Sequence, residues 1–205
     1  MPRKNGKPVK KYAARPGGGL LLRIIGGAWR GRRIHFPPVA AIRPTPDRVR
    51  ETLFNWLQMD IAGSRCLDLY SGSGALGLEA LSRGVSHVGV VEVASGSSRH
   101  LSQSLEDFQC DRGVVVTADV KRYLAGAAEP FDIVFLDPPY ADHALADICS
   151  RIEQGGWLRA GGLAYLEDAA SAGPPVLPPG WTLLKSKRAG AVGYHLARRD
   201  PPAAA

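Results

Sequence analysis

Apolar positions along this chain change period several times, and the changes divide it into elements. From Arg65 onward, short apolar runs alternate with stretches of helical spacing. RCLDLY (65–70), HVGVVEV (87–93), GVVVTAD (113–119), FDIVFLD (131–137) and LAYLED (163–168) read as strands. ALGLEALSR (75–83), SSRHLSQSLEDF (97–108) and ALADICSRIEQ (144–154) read as helices, with a short helical piece between the third and fourth strands. TLLKSKR (182–188) and AVGYHLAR (191–198) form an antiparallel pair with a turn at Ala189-Gly190. Strand–helix alternation closed by a strand pair predicts an α/β fold. Its core is a doubly wound, seven-stranded, mostly parallel sheet with helices on both faces.

The N-terminal quarter follows other patterns. LLRIIGGAWRGRRIHF predicts two short strands joined around Gly26-Gly27, and RPTPDRVRETLFNWLQ a helix. Thr45 suits the N-cap, Pro46 the first helical position and Asp47 the positive end of the helix dipole. Val49, Leu53, Trp56 and Leu57 share one face, and Arg48 and Arg50 largely avoid it. The expected division is a basic flexible tail (1–19), a hairpin and helix extension (20–60), the α/β domain (61–199) and a flexible C-terminal tail (200–205).

Composition narrows the class. The chain has 205 residues and 45% apolar content, enough for one domain with a substantial core. No apolar stretch reaches the roughly 18–20 residues of a membrane helix. The first residues lack the apolar core of a secretion signal, so a cytoplasmic protein is expected. Cys66, Cys110 and Cys149 are far apart and form no CxxC pair, which predicts buried free thiols and no metal. Charge is uneven. Residues 1–50 hold thirteen Lys/Arg against one acid, and the rest thirteen against eighteen, so the two parts carry +12 and −5. A basic arm of this kind attracts polyanions, nucleic acid first among them. A tail that only aids solubility is the alternative for residues 1–16.

In an open parallel sheet, ligands bind beyond the carboxyl ends of the strands, and the residues there carry chemistry. DLYSGSGALG places Gly72, Gly74 and Gly77 in G-x-G-x-x-G spacing at a helix start. Glu92 ends the second strand, where it can accept hydrogen bonds from two ribose hydroxyls. A dinucleotide site shares this spacing, and a plain glycine turn is a third possibility. Asp68 bears on the choice, since a carboxylate beside the loop repels a pyrophosphate but favours a cationic ligand such as S-adenosylmethionine. Asp68 can also be a loop cap. Asp119 can meet an adenine amino group or cap the VKRYL turn.

FLDPPY then ends the fourth strand. An exocyclic amine on a base is a poor nucleophile, because its lone pair is delocalised into the ring. Two acceptors on its N–H bonds draw it toward tetrahedral geometry and free the lone pair. The Asp137 carboxylate and the Pro138 carbonyl can be those acceptors, held rigid by Pro138 and Pro139. Tyr140 offers a ring on which an extruded base stacks.

These motifs together resemble the bacterial RsmD-type methyltransferases, which methylate a guanine N2 in 16S ribosomal RNA with S-adenosylmethionine. RIIGGAWRGRRI, RPTPDRVRETLFNWL, DLYSGSGALGLEALSRG and FLDPPY carry the likeness, which runs from about Leu22 to Arg199. The resemblance implies a class I, Rossmann-like methyltransferase fold. It assigns Asp137, Pro138, Pro139 and Tyr140 to catalysis. It places the cofactor on Asp68, Tyr70, Gly72, Ser73, Gly74, Glu92, Val93, Asp119, Val120 and Asp137. RNA contacts fall to Arg30, Arg32, Arg33, Arg43 and Arg48, with the Arg43–Glu51 segment closing over the cofactor. The implied substrate is an assembled or partly assembled small subunit, and a monomer is the default. The chain departs from the family in YSGSG, where FAGSG is expected, and in Val93-Ala94, which replace a more polar pair. Three rivals stand beside this reading. A DNA adenine-N6 methyltransferase shares DPPY but usually needs a target-recognition segment; a nicotinamide-dependent oxidoreductase leaves DPPY without a role; a non-enzymatic RNA-binding protein needs no cofactor.

Overall fold

The computed structural model describes residues 20–36 and 45–201. The tail 1–19, Arg43 and residues 202–205 lie outside them. The elements are β1 (Leu20–Arg23), β2 (Arg33–Phe36), α1 (Asp47–Trp56), β3 (Arg65–Leu69), α2 (Ala75–Ser82), β4 (His87–Glu92), α3 (Ser95–Asp107) and β5 (Gly113–Thr117). They continue with α4 (Val120–Leu124), β6 (Phe131–Leu136), α5 (Leu145–Gly155), β7 (Leu158–Ala169), β8 (Trp181–Ala189) and β9 (Val192–Arg199). A seven-stranded sheet has the order β5-β4-β3-β6-β7-β9-β8, and β9 is the one strand that runs against the rest. The chain direction across the sheet reverses between β3 and β6, so the switch point lies between Asp68 and Asp137.

Side-chain alternation along the strands separates two cores. Cys66, Val88, Val90, Ile133 and Phe135 pack with α1, α2, α3 and the β1–β2 hairpin. Leu67, Leu69, Val134, Leu136 and Leu166 pack with α4 and α5. Arg199 closes the last strand onto α5 through two bonds to Glu153, at 2.7 and 2.8 Å.

Several elements differ in detail from the expectation. β7 starts at Leu158, because Leu158 pairs with Phe131 and the register then shifts before Ile133 meets Leu163. The β8–β9 turn falls on Gly190-Ala191, since Ala189 still pairs with Val192. Gly26-Gly27 do not form a tight turn: residues 24–32 make a longer loop that lies against the end of α2. Gly27 has φ +75°, and a Cβ there would stand 1.9 Å from the Ser82 carbonyl oxygen, so only glycine fits.

Two polar readings of α1 are corrected. Thr45 does not cap the helix, whose cap position is Pro46 without a side-chain bond; its hydroxyl instead donates to Asp137 Oδ2 at 3.4 Å. Arg50 does not avoid the packed face but is wholly buried. Its guanidinium donates to Asp47 Oδ1 (2.7 Å) and the Arg23 carbonyl (2.9 Å), and lies 3.5 Å from Glu79 Oε2. Glu79, also buried, accepts from the Ile25 and Gly26 N–H groups, both at 2.8 Å, and from Arg83 Nε at 2.9 Å. One carboxylate on α2 thus ties together the hairpin, α1 and the end of its own helix.

A buried charge stripped of its partner is costly. Glu79→Ala is expected to lower the unfolding free energy by about 3–5 kcal/mol, with Glu79→Gln in between, as read by urea denaturation. A loss under about 1 kcal/mol, the range of an exposed pair, would show that the hairpin is held by apolar packing alone.

Candidate active site

The carboxyl ends of β3, β4, β6 and β7 gather four acids. After β3 the chain turns sharply at Tyr70, whose φ of 62° places a tyrosine in the left-handed region, a conformation that bulky residues adopt only under constraint. Gly74, at φ 76°, sits at the cap position of α2, and a Cβ there would meet Leu101 at 2.2 Å. Asp68 is the pin of this loop: its Oδ2 accepts from the Gly77 N–H (2.9 Å) and the Ser71 hydroxyl (3.0 Å). Glu92 braces it from β4, accepting from the N–H groups of Gly72 (2.8 Å) and Ala94 (2.7 Å).

Asp137 follows β6 on the sheet face that carries Phe135. Across from it, Glu167 near the end of β7 is buried and accepts from two tyrosine hydroxyls, Tyr140 at 2.9 Å and Tyr165 at 2.7 Å. Pro138 is buried and Pro139 exposed, with Tyr140 beginning a short 3-10 turn. Among the described residues no Lys, Arg or His forms an ion pair with Asp68, Asp137 or Glu167. Electrostatics follow from that. Burial pushes the Asp68 carboxyl up to about 7, against the bonds from Ser71 and Gly77. Burial, then the charges of Glu167 and Asp68, holds the Asp137 carboxyl well above the usual range. Burial raises Glu167 too, opposed by its two tyrosines. Acids in this state favour a ligand that brings positive charge.

The other expected residues divide. Ser73 is buried within the loop and Gly72 half-buried. Val93 is 68% exposed directly after Glu92, an open apolar surface at the strand end. Asp119 caps α4, accepting from the Arg122 N–H at 3.1 Å, and the Val120 side chain packs into the α4–α5 core rather than toward the site. Arg48 is exposed three residues on from Thr45. Arg30, Arg32 and Arg33 are exposed too, but at the opposite end of the sheet, beside the last turns of α2 and α3. There Arg32 lies 3.9 Å above the Phe108 ring and donates to the Asp107 carbonyl. Cys66 and Cys149 are buried thiols that burial pushes up to about 12, while Cys110 is only half-buried. Cavities of about 500 and 290 Å³ flank α3, and neither borders Asp68 or Asp137. The site is therefore defined by its polar groups. Sequence reasoning missed Glu167 and Thr45.

A family model described as Conserved hypothetical protein 95 matches residues 22–198. The Ribosomal RNA small subunit methyltransferase D of Escherichia coli is 42% identical over 87% of this chain and 90% of its own length. The chain belongs to this RsmD family. The solved structure of the E. coli protein yhhF matches at TM-score 0.82 with 41% identity, over 88% of this chain and 98% of that one. SMU.776, solved in complex with SAH, shares the fold at TM-score 0.67 and 19% identity, over 92% of this chain and 58% of that one. The RsmD-family chain thus has the class I methyltransferase fold with a small N-terminal hairpin.

The Asp68 carboxyl sets a pH dependence. In the unfolded chain it titrates at its ordinary 3.8, so between about pH 4 and 7 the folded protein holds a proton that the unfolded chain has lost. Its contribution is therefore lost progressively as pH rises from about 4 to 7, by up to about 4 kcal/mol, and stays level above that. Asp68→Asn is expected to flatten the decline in urea-unfolding free energy between about pH 4 and 7, and an unchanged slope would mean that Asp68 is ionised throughout.

Proposed function

We propose that this chain transfers the methyl group of S-adenosylmethionine to the exocyclic N2 of a guanine in 16S ribosomal RNA. The acceptor is an assembled or partly assembled small subunit, and the enzyme works in the cytoplasm as a monomer. The observation that carries the reading is a rigid Asp-Pro-Pro-Tyr turn set one strand away from a glycine loop, in a cluster of buried acids that pairs with no cation among the described residues. The identity to the E. coli methyltransferase over nearly the whole chain supports a small-subunit RNA as substrate.

When bound, S-adenosylmethionine would supply an electrophilic methyl group on a sulfonium, whose S–C bond breaks as the methyl leaves, the electron pair staying on sulfur as a neutral thioether. The residues present fit it. Glu92 holds the loop with both carboxylate oxygens and faces the place of the ribose hydroxyls. Asp68, raised by burial, gains its charge when a cation arrives. Val93 would offer the adenine an apolar surface, and Asp119 at the start of α4 could meet its edge. On the base side, Tyr140 is the stacking ring. Asp137 and the Pro138 carbonyl accept the two N–H bonds of the amine, and the Asp137 carboxylate then takes the proton that nitrogen loses as the N–C bond forms. Thr45 steadies the same carboxylate. Arg48 lies at this end of the molecule. Arg30 and Arg33 stand at the opposite end of the sheet, beside the last turns of α2 and α3, and a folded RNA can reach both ends through its phosphates.

Asp137→Ala is expected to abolish transfer of labelled methyl groups while S-adenosylmethionine still binds, as measured by calorimetry. Unchanged turnover would remove Asp137 from the mechanism. The acceptors are small subunits lacking the modification, free 16S RNA and duplex DNA, with nucleoside analysis of the product. Label as N2-methylguanosine in RNA supports the reading, and label as N6-methyladenine in DNA replaces its substrate. Charge reversal of Arg30 and Arg33 together is expected to reduce the salt slope of RNA binding by about 1.5. An unaffected slope would place the RNA elsewhere.

A further inference from the structure

β6 and β7 run parallel and in register, with Phe135 paired to Tyr165 and Leu136 to Leu166. The next residues on the two strands are Asp137 and Glu167. Neighbouring strands lie about 4.8 Å apart, so the register alone sets a second buried carboxylate next to the one that accepts from the base. Among the described residues Glu167 has no cation, and it spends its two oxygens on two hydroxyls, Tyr140 at 2.9 Å and Tyr165 at 2.7 Å. Tyr165 is wholly buried and anchors Glu167 through its hydroxyl, and Glu167 in turn holds the far edge of the partly exposed Tyr140 ring.

We propose that Glu167 is a positioning residue of the methyl transfer, holding the Tyr140 ring by its hydroxyl and placing a second carboxylate beside Asp137. The inference rests on the reading of Asp137 and Tyr140 given above. A ring held at its hydroxyl presents one face to an incoming base without first losing rotational freedom, which is preorganisation. The adjacent negative charge makes Asp137 a better proton acceptor once the amine begins to release its proton. The titratable groups around the pair are Asp68 on β3, Tyr140, Tyr165, Asp168, and Tyr194 on β9, with Lys187 on β8 beyond Tyr194. Thr45 faces it from the start of α1.

Glu167→Gln keeps the shape but has one acceptor oxygen for two hydroxyls and no charge. Tyr140→Phe keeps the ring and loses the tether. With methyl transfer as the readout, Glu167→Gln is expected to lower kcat about 100-fold and Tyr140→Phe about 10-fold. Glu167→Gln should also move the acid limb of the pH–rate profile to lower pH, because Asp137 then ionises without a neighbouring charge. A variant that only loosened the fold would lose rate equally at every pH, and that result would overturn the proposal. Protein carrying 3-fluorotyrosine gives an independent measure, the Tyr140 resonance being the one missing from Tyr140→Phe. That resonance is expected to shift and narrow in Glu167→Gln as the ring is freed, and an unchanged resonance would overturn the tether. If the wild type transferred no methyl group at all, the proposed function would fail, and the fluorine spectrum would still decide whether Glu167 holds Tyr140.

Discussion

Burying several carboxylates at adjacent strand ends, with no cation among the described residues to pair them, is the constraint around which this molecule is arranged. Charged groups out of water need hydrogen-bond donors or protons. Here the donors are the loop N–H groups for Asp68 and Glu92, a threonine for Asp137, and two tyrosines for Glu167. Each donor also positions something else. The bonds that relieve Asp68 and Glu92 hold the glycine loop in shape, and those that relieve Glu167 hold the ring beside DPPY. What remains after these bonds is a deficit of positive charge, shown by the upward shifts of Asp68, Asp137 and Glu167. A sulfonium with an α-ammonium group is chemically suited to fill it. A pyrophosphate is not, which weighs against the dinucleotide reading that the glycine spacing alone leaves open.

Much of this was legible in the chain because its signals are local. A run such as CLDL or IVFL is apolar over the length of one strand, and the acid that ends it falls at the strand end by construction. Asp68, Glu92 and Asp137 could thus be placed from their positions alone. Thr45 and Arg50 could not. Thr-Pro-Asp before a helix has the composition of a cap, and only tertiary placement turns the threonine outward to Asp137. Arg50 breaks the apolar stripe of α1, so periodicity assigns it to solvent, whereas a buried glutamate 29 residues later makes its burial tolerable. Glu167 was invisible for a related reason. LAYLED reads as one more strand with acids at its end, and the partnership with Asp137 exists only in the register of two strands whose pairing no local pattern encodes. The signal that could have found it is an acid ending the strand next to the switch point.

The arginine-rich hairpin shows a different limit. Charge asymmetry located a basic surface, but charge carries no geometry, and the hairpin loop lies against the ends of α2 and α3 that point away from the DPPY turn. Its connection to the site runs through α2. The eight residues of that helix begin at Gly74, in the loop braced by Asp68 and Glu92, and include Glu79, which holds the hairpin backbone at Ile25 and Gly26. A helix of eight residues is about 12 Å long and behaves as a rigid rod. Any displacement of the hairpin on binding a polyanion must therefore strain either the Glu79 contacts or the glycine loop at the other end. Because Arg50 joins the same carboxylate to α1, the segment that delivers Thr45 to Asp137 is held by the same anchor. The N-terminal extension is in this sense a part of the α/β domain: it shares one core with α1, α2 and α3, and a single buried glutamate connects it to both the glycine loop and the segment that meets Asp137.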